Sequence, residues 1–156
     1  MEIERKYLIQ RLPEDYETYP HTEMEQGYLC TSPVVRIRKD GDNYTLTYKG
    51  CGLMVREEYN LPLTKEAYEH LRPKTDGNLI HKIRYRIPLG ETYTIELDIF
   101  LDSLAPLMLA EVEFPTEEEA NCFLPPDWFG KDVTFQTDYH NSTLSQMRHF
   151  PAKTKE

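Results

Sequence analysis

Apolar and polar residues alternate in short runs along most of this chain, the period-2 pattern of half-buried β-strands. In residues 1–9, Glu2, Glu4 and Lys6 fall on one strand face, and Ile3, Arg5, Tyr7 and Ile9 on the other. Residues 10–26 are polar, contain Pro13 and Pro20, and predict a loop or short helix. The alternation resumes over 27–39, bent near Thr31-Ser32-Pro33 because proline removes a ladder donor. Asp40-Gly41 marks a hairpin into a strand at 43–49, and Gly50-Cys51-Gly52 turns the chain into another at 53–61. Further strands are expected at 79–88, 92–100 and 107–114, with a short one at 133–134. Three brief helices interrupt them: 64–71 behind a Thr64 N-cap, 116–123 behind a capping box at Thr116, and 141–148 behind Asn141 or Ser142. Many short strands with short connections predict an antiparallel, β-rich α+β domain. At 156 residues the chain fits one domain over 1–150, followed by a polar tail at 151–156.

The polar positions of these strands are mostly charged. Arg36 and Arg38 oppose Val35 and Ile37; Arg56 and Glu58 oppose Val55 and Tyr59; Lys82 and Arg84 oppose Ile83 and Tyr85. Lys49 shares the face of Thr45 and Thr47, and Glu96 with Asp98, then Glu111 with Glu113, supply acids. An open sheet with one wet, salt-bridged face would give the same alternation. Three features favour a barrel with an ionic lumen instead. The positions favour Glu and Arg over the mixture of Thr, Ser, Gln and Lys usual on a solvated face. Acids pair on some strands and bases on others. Like charges two residues apart are best tolerated where a metal or polyanion supplies the opposite sign. A mixture of acids and bases on one face suits a metal–polyphosphate complex better than a simple cation or a simple anion.

Net charge narrows the picture. At −9 the chain has no basic excess for releasing counterions from nucleic acid or for binding an anionic membrane. Cys30, Cys51 and Cys122 form no CxxC pair, so neither a disulfide framework nor a zinc site is indicated, and a reducing cytoplasm is expected. Glu2 and Glu4 stand where a signal peptide would be basic and apolar, and no apolar run approaches the ~20 residues of a membrane span.

The run Glu2-Ile3-Glu4-Arg5-Lys6 resembles the ExExK signature of the CYTH superfamily, the triphosphate tunnel metalloenzymes. The resemblance extends to Gln26-Gly27-Tyr28, Arg36-Ile37-Arg38, Thr47-Tyr48-Lys49, Arg56-Glu57-Glu58, Lys82-Ile83-Arg84-Tyr85, Glu96-Leu97-Asp98, the strand at 109–114, and the stretch at 125–134. It implies a closed, antiparallel eight-stranded β-barrel that binds a triphosphate in its lumen. It further implies that Glu2, Glu4, Glu111 and Glu113 hold Mg²⁺ or Mn²⁺, and that Lys6, Arg36, Arg38, Lys49, Arg56, Lys82 and Arg84 clamp phosphate oxygens. Glu58, Glu96 or Asp98 would hold a second metal or orient water, with Lys82 also at the catalytic centre; some relatives carry an acid near the position of Asn60.

The reaction so implied is metal-dependent hydrolysis of inorganic triphosphate to pyrophosphate and phosphate. Adenylate cyclisation, thiamine triphosphate hydrolysis and non-catalytic binding of a polyphosphate or nucleotide are the alternatives. Outside this set, Arg5 is expected to be solvated or paired, Trp128 to anchor a loop, His81 to pack or sit at the surface, and Tyr28 to belong to the core more readily than to the substrate site. Apolar outer strand faces that three short helices would not cover suggest a homodimer.

Overall fold

The computed structural model describes residues 1–147. The strands are β1 (Glu2–Ile9), β2 (His21–Thr31), β3 (Val34–Asp40), β4 (Asn43–Lys49), β5 (Val55–Arg56), β6 (Glu58–Pro62), β7 (Asp76–Leu89), β8 (Tyr93–Phe100), β9 (Met108–Glu113) and β10 (Phe129–Asp132). Three short helices join them: α1 (Lys65–Leu71), α2 (Glu117–Cys122) and α3 (Asn141–Leu144). Neighbours in the order β1-β9-β8-β7-β2-β3-β4-β6 all pair antiparallel. The stretch from Val55 to Pro62 breaks at Glu57, so β6 follows β4 while β5 pairs back to β1 through Glu2↔Arg56 and Ile3↔Val55. With β5 and β6 sharing one place, the ring has eight places and is nearly closed, the two residues of β5 bridging back to β1. β10 lies outside it, paired further along the same edge of β1 at Tyr7 and Ile9.

Closure sends the charged face of most strands inward and the apolar face outward, as the sequence pattern predicts for a barrel. Tyr7, Leu97, Ala110 and Val112 are buried in the outer core, packed with Phe114, with Ala120 of α2 and with Phe129 of β10. The Thr116 hydroxyl accepts from the Glu119 N–H and starts α2, and the Thr64 hydroxyl accepts from the Ala67 N–H and starts α1. A second apolar cluster, containing Leu109, Ile80, Phe100, Val34, Val133 and Leu144, packs inside one end of the ring and forms a floor.

Three elements depart from expectation. β2 begins at His21, inside the predicted loop, because of its inward residues Thr22, Met24 and Gln26 only Met24 is apolar, while the outward ones, Glu23 and Glu25, are charged. With neither face apolar, no alternation is visible, and pairing to β7 supplies the strand. The predicted bent strand at 27–39 is two strands of a hairpin turned at Ser32-Pro33. The short strand predicted at 133–134 lies earlier, as β10; Val133 and Thr134 are buried against β1, where the Val133 N–H donates to the Lys6 carbonyl at 2.8 Å. Arg148, the expected end of the last helix, and the 151–156 tail lie outside the described residues.

Candidate active site

Strand register builds the site. It sets Glu2 across from Arg56, Glu4 across from Glu113, Lys6 across from Glu111, Lys49 across from Glu58, and Arg84 across from Asp98. Above the apolar floor these side chains surround a cavity of about 200 Å³. Every residue singled out from the sequence lines it except Lys82 and Asp98. Those two are buried in the wall, joined to each other at 2.8 Å.

One side of the lumen is ion-paired throughout. Arg84 donates from Nε and Nη2 to the two oxygens of Asp98 at 2.7 and 2.9 Å, and lies 3.2 Å from Glu96 and 3.3 Å from Glu111. Lys6 reaches Glu111 at 3.2 Å. Burial pushes Glu111 toward neutrality, but Lys6, Arg84, Lys82 and Lys49 outweigh it and hold the carboxyl well below the usual range. Asp98 is held down in the same way by Arg84 and Lys82. Lys82, burial dominating, is lowered to about 7 despite its contact with Asp98.

The other side is not matched. Glu2, Glu58 and Glu113 bring one carboxylate oxygen each to within 4.8 Å of one another, and Glu4 faces Glu113 across the β1–β9 ladder. Burial, then Glu111 and Glu2, raise the Glu4 carboxyl to about 8, and burial with Glu2, Glu58 and Glu96 raises Glu113. Lys49 partly compensates, at 2.9 Å from Glu2 and 3.8 Å from Glu58. Facing them are Arg36, Arg38 and Arg56, which among the described residues have no carboxylate within ion-pairing distance. Arg36 gives one bond to Thr47 at 3.3 Å while its buried Nε has no partner; Arg38 donates to Gln26 and Arg56 to the Gly50 carbonyl. A hard divalent cation fits the carboxylates, because converging oxygen ligands of like charge are what such an ion requires. An oxyanion fits the arginine side.

Sequence reasoning did not find His140, Asn141 and Ser142, which line the cavity from the C-terminal segment; Asn60, noted from the sequence only as a position where relatives carry an acid, also lines it, and its Oδ1 accepts from Thr47 at 2.6 Å. Asn141 and Ser142 read as helix caps, and nothing in their spacing signals that the segment enters a barrel. Tyr28 packs in the floor cluster, as expected of a core aromatic, and also lines the cavity. Arg5 faces outward and pairs with Asp132 at 2.6 Å. The Trp128 carbonyl accepts from Gln10 at 3.0 Å, tying down its loop. His81 sits on the outer surface between Glu25 and Asp102, at 2.8 and 2.7 Å.

Comparison with known proteins agrees with this fold. Residues 1–150 match the family described as CYTH domain. An inorganic triphosphatase of Nitrosomonas europaea is 41% identical over 147 residues, spanning 92% of this chain and 96% of that protein. An inorganic triphosphatase of Acetivibrio thermocellus is 34% identical over 149 residues, 92% of each. The crystal structure of the inorganic triphosphatase NE1496 superimposes with a TM-score of 0.71 at 36% identity, over 96% of this chain and 97% of that one.

Proposed function

The chain belongs to the CYTH family, and we propose that it hydrolyses inorganic triphosphate to pyrophosphate and phosphate inside its barrel. The observation that carries this reading is the confrontation of crowded carboxylates with unpaired arginines across one small polar cavity. Two relatives that nearly span the chain are inorganic triphosphatases. A cavity of about 200 Å³ is below the roughly 300–1,000 Å³ of sites for drug-sized ligands. It suits an inorganic chain better than ATP or thiamine triphosphate.

Family membership implies dependence on a divalent cation, and Mg²⁺ or Mn²⁺ is the proposed ion. Glu2, Glu4, Glu58 and Glu113 would hold it, with Glu111 at the edge of the group. When bound, the cation neutralises phosphate charge and acidifies or orients water. Arg36, Arg38, Arg56, Lys49 and Lys6 clamp the phosphate oxygens and stabilise the charge that spreads over them during transfer. Arg84 contributes a further donor, aimed by Asp98. Lys82, buried beneath the cavity lining, holds Asp98 in place and so acts by positioning. Glu96 stands at the cavity edge, where it can orient water. Cys30, Cys51 and Cys122 are free, which supports a reducing, cytoplasmic setting. Tyr59 and Leu61, exposed on the outside of β6, support a homodimer, and a native mass equal to one chain would remove that idea.

The test is product release from triphosphate, ATP and thiamine triphosphate with Mg²⁺, Mn²⁺ or EDTA, in the wild type and in Glu4→Gln. The expected result is phosphate release from triphosphate that needs the cation and is lost in the variant. Cyclic AMP with pyrophosphate from ATP would make the protein a cyclase. Tight binding of triphosphate without turnover would leave a binding module.

A further inference from the structure

Among the described residues, apolar side chains fill one end of the lumen and the charged layer lines the other. Beneath the charged layer lies the apolar floor, and the segment Tyr139–Leu144 enters the ring to complete it. Charged groups of the barrel hold that segment at its near end. Lys6 Nζ donates to the Tyr139 carbonyl at 3.2 Å, while Lys82 Nζ and Gln26 Nε2 both donate to Asn141 Oδ1 at 3.2 Å. Leu144 and Ser145 are fully buried. At the far end the Asn78 N–H donates to the Ser145 carbonyl at 2.7 Å, and Asn78 Nδ2 donates to the Met147 carbonyl at 2.6 Å. Gly77, at φ +67°, allows this approach, because a Cβ there would lie 2.4 Å from the Ser145 oxygen.

With Oδ1 of Asn141 taken up by Lys82 and Gln26, the amide is oriented so that Nδ2, a donor, remains for the cavity that Asn141 lines. A donor at the filled end matches the anionic terminus of a phosphate chain. We propose that the Tyr139–Leu144 segment is an end stop, with Asn141 meeting the terminal phosphate, and that it fixes which phosphoanhydride bond lies at the carboxylates. This rests on the hydrolase reading above. A linear polyphosphate enters from the charged side, end first, and advances until it meets the stop. Water attacks at one fixed position counted from that end: one P–O bond breaks, one forms to the water oxygen, and tetraphosphate gives triphosphate and phosphate.

The experiment follows the initial products from triphosphate and tetraphosphate by ion chromatography, using the full chain. Wild type is compared with Leu144→Ala, which hollows the floor, and Gly77→Ala, which displaces the far anchor. Neither residue touches the cavity, and folding is checked by circular dichroism. Wild type is expected to convert tetraphosphate to triphosphate and phosphate alone. Both variants are expected to add direct cleavage to two pyrophosphates. Mixed initial products from wild type, or wild-type products from both folded variants, overturn the stop. If wild type cleaves triphosphate but not tetraphosphate, the stop stands only if the variants gain tetraphosphate cleavage. If no chain is cleaved, the hydrolase reading falls by itself and calorimetry decides the stop. Asn141→Asp, which replaces the donor with a like charge, should then weaken triphosphate binding by about tenfold or more, and an unchanged affinity overturns it.

Discussion

The two sides of the charged layer are made of the same residue types and behave oppositely. Around Arg84, every charge has a partner: Asp98, Glu96 and Glu111 surround the guanidinium, and Lys82 closes the group from behind. Around Glu4 and Arg36, carboxylates meet carboxylates and arginines meet neutral acceptors. Buried charges left uncompensated cost stability. A fold that keeps them on one side while satisfying the other is keeping them for ligands of opposite sign. On the proposed reading, the paired side is architecture that aims Arg84, and the unpaired side receives substrate and cation.

The sharpest way to break this contrast is to damage the paired side. Asp98→Asn leaves the buried Lys82 and Arg84 without their shared carboxylate, and should cost about 3–5 kcal/mol of unfolding free energy in urea titrations. A loss within the range of ordinary surface substitutions would show that the cluster is not structural. The unpaired side should respond in the reverse sense. Glu113→Gln removes one member of a repelling group, so it should raise the melting temperature in EDTA. It should also lower triphosphate turnover about a hundredfold or more, because a bound cation contributes several kcal/mol to the transition state. Coincident loss of stability and activity would mean that these carboxylates are paired after all.

The smallest effect is expected outside the barrel, where pairing is half-exposed. The Arg72 hydrogen bonds first, opposed by burial and helped by Tyr68 and His81, hold Glu25 down to about 2 from an ordinary 4.5. Its contribution is therefore full above pH 4.5 and drains as pH falls toward 2. His81 is pulled down by burial, but its bonds to Glu25 and Asp102 prevail and raise it above 6.5. Its contribution is full below pH 6.5 and drains as pH rises through the raised value. The stability difference between wild type and His81→Gln should peak between pH 4.5 and 6.5 and shrink on both sides. A difference that does not shrink below pH 4.5 and above pH 6.5 in pH-dependent melts would leave His81 without a role in the network.

Most of the barrel was legible because strand alternation is a local property. The side on which Glu2, Glu4 and Lys6 fall depends only on their spacing, and the same holds for Arg36 with Arg38 and Glu111 with Glu113. β2 escaped because its early residues are mostly polar on both faces, one turned to an ionic interior and the other to solvent. His140, Asn141 and Ser142 escaped for a different reason. They sit on a short helix whose entry into the lumen is set by contacts to Lys6, Gln26 and Lys82, residues more than fifty positions away in the chain.

The order of bases and acids along the chain determined by itself that this protein would enclose a mixed ionic face, and which residues would carry it. Which charges neutralise one another was a tertiary matter. Lys82 and Arg84 lie on one strand face with Arg36 and Arg38 on another, and nothing in their local patterns separates them. Only the β7–β8 register brings Asp98 against Arg84, and only ring closure at β5 faces Glu2 with Arg56 and leaves Arg36 without an acid. Electrostatic pairing falls off within a few ångströms. It is therefore decided by the register and curvature of the closed sheet, and the sequence pattern alone carries no record of those distances.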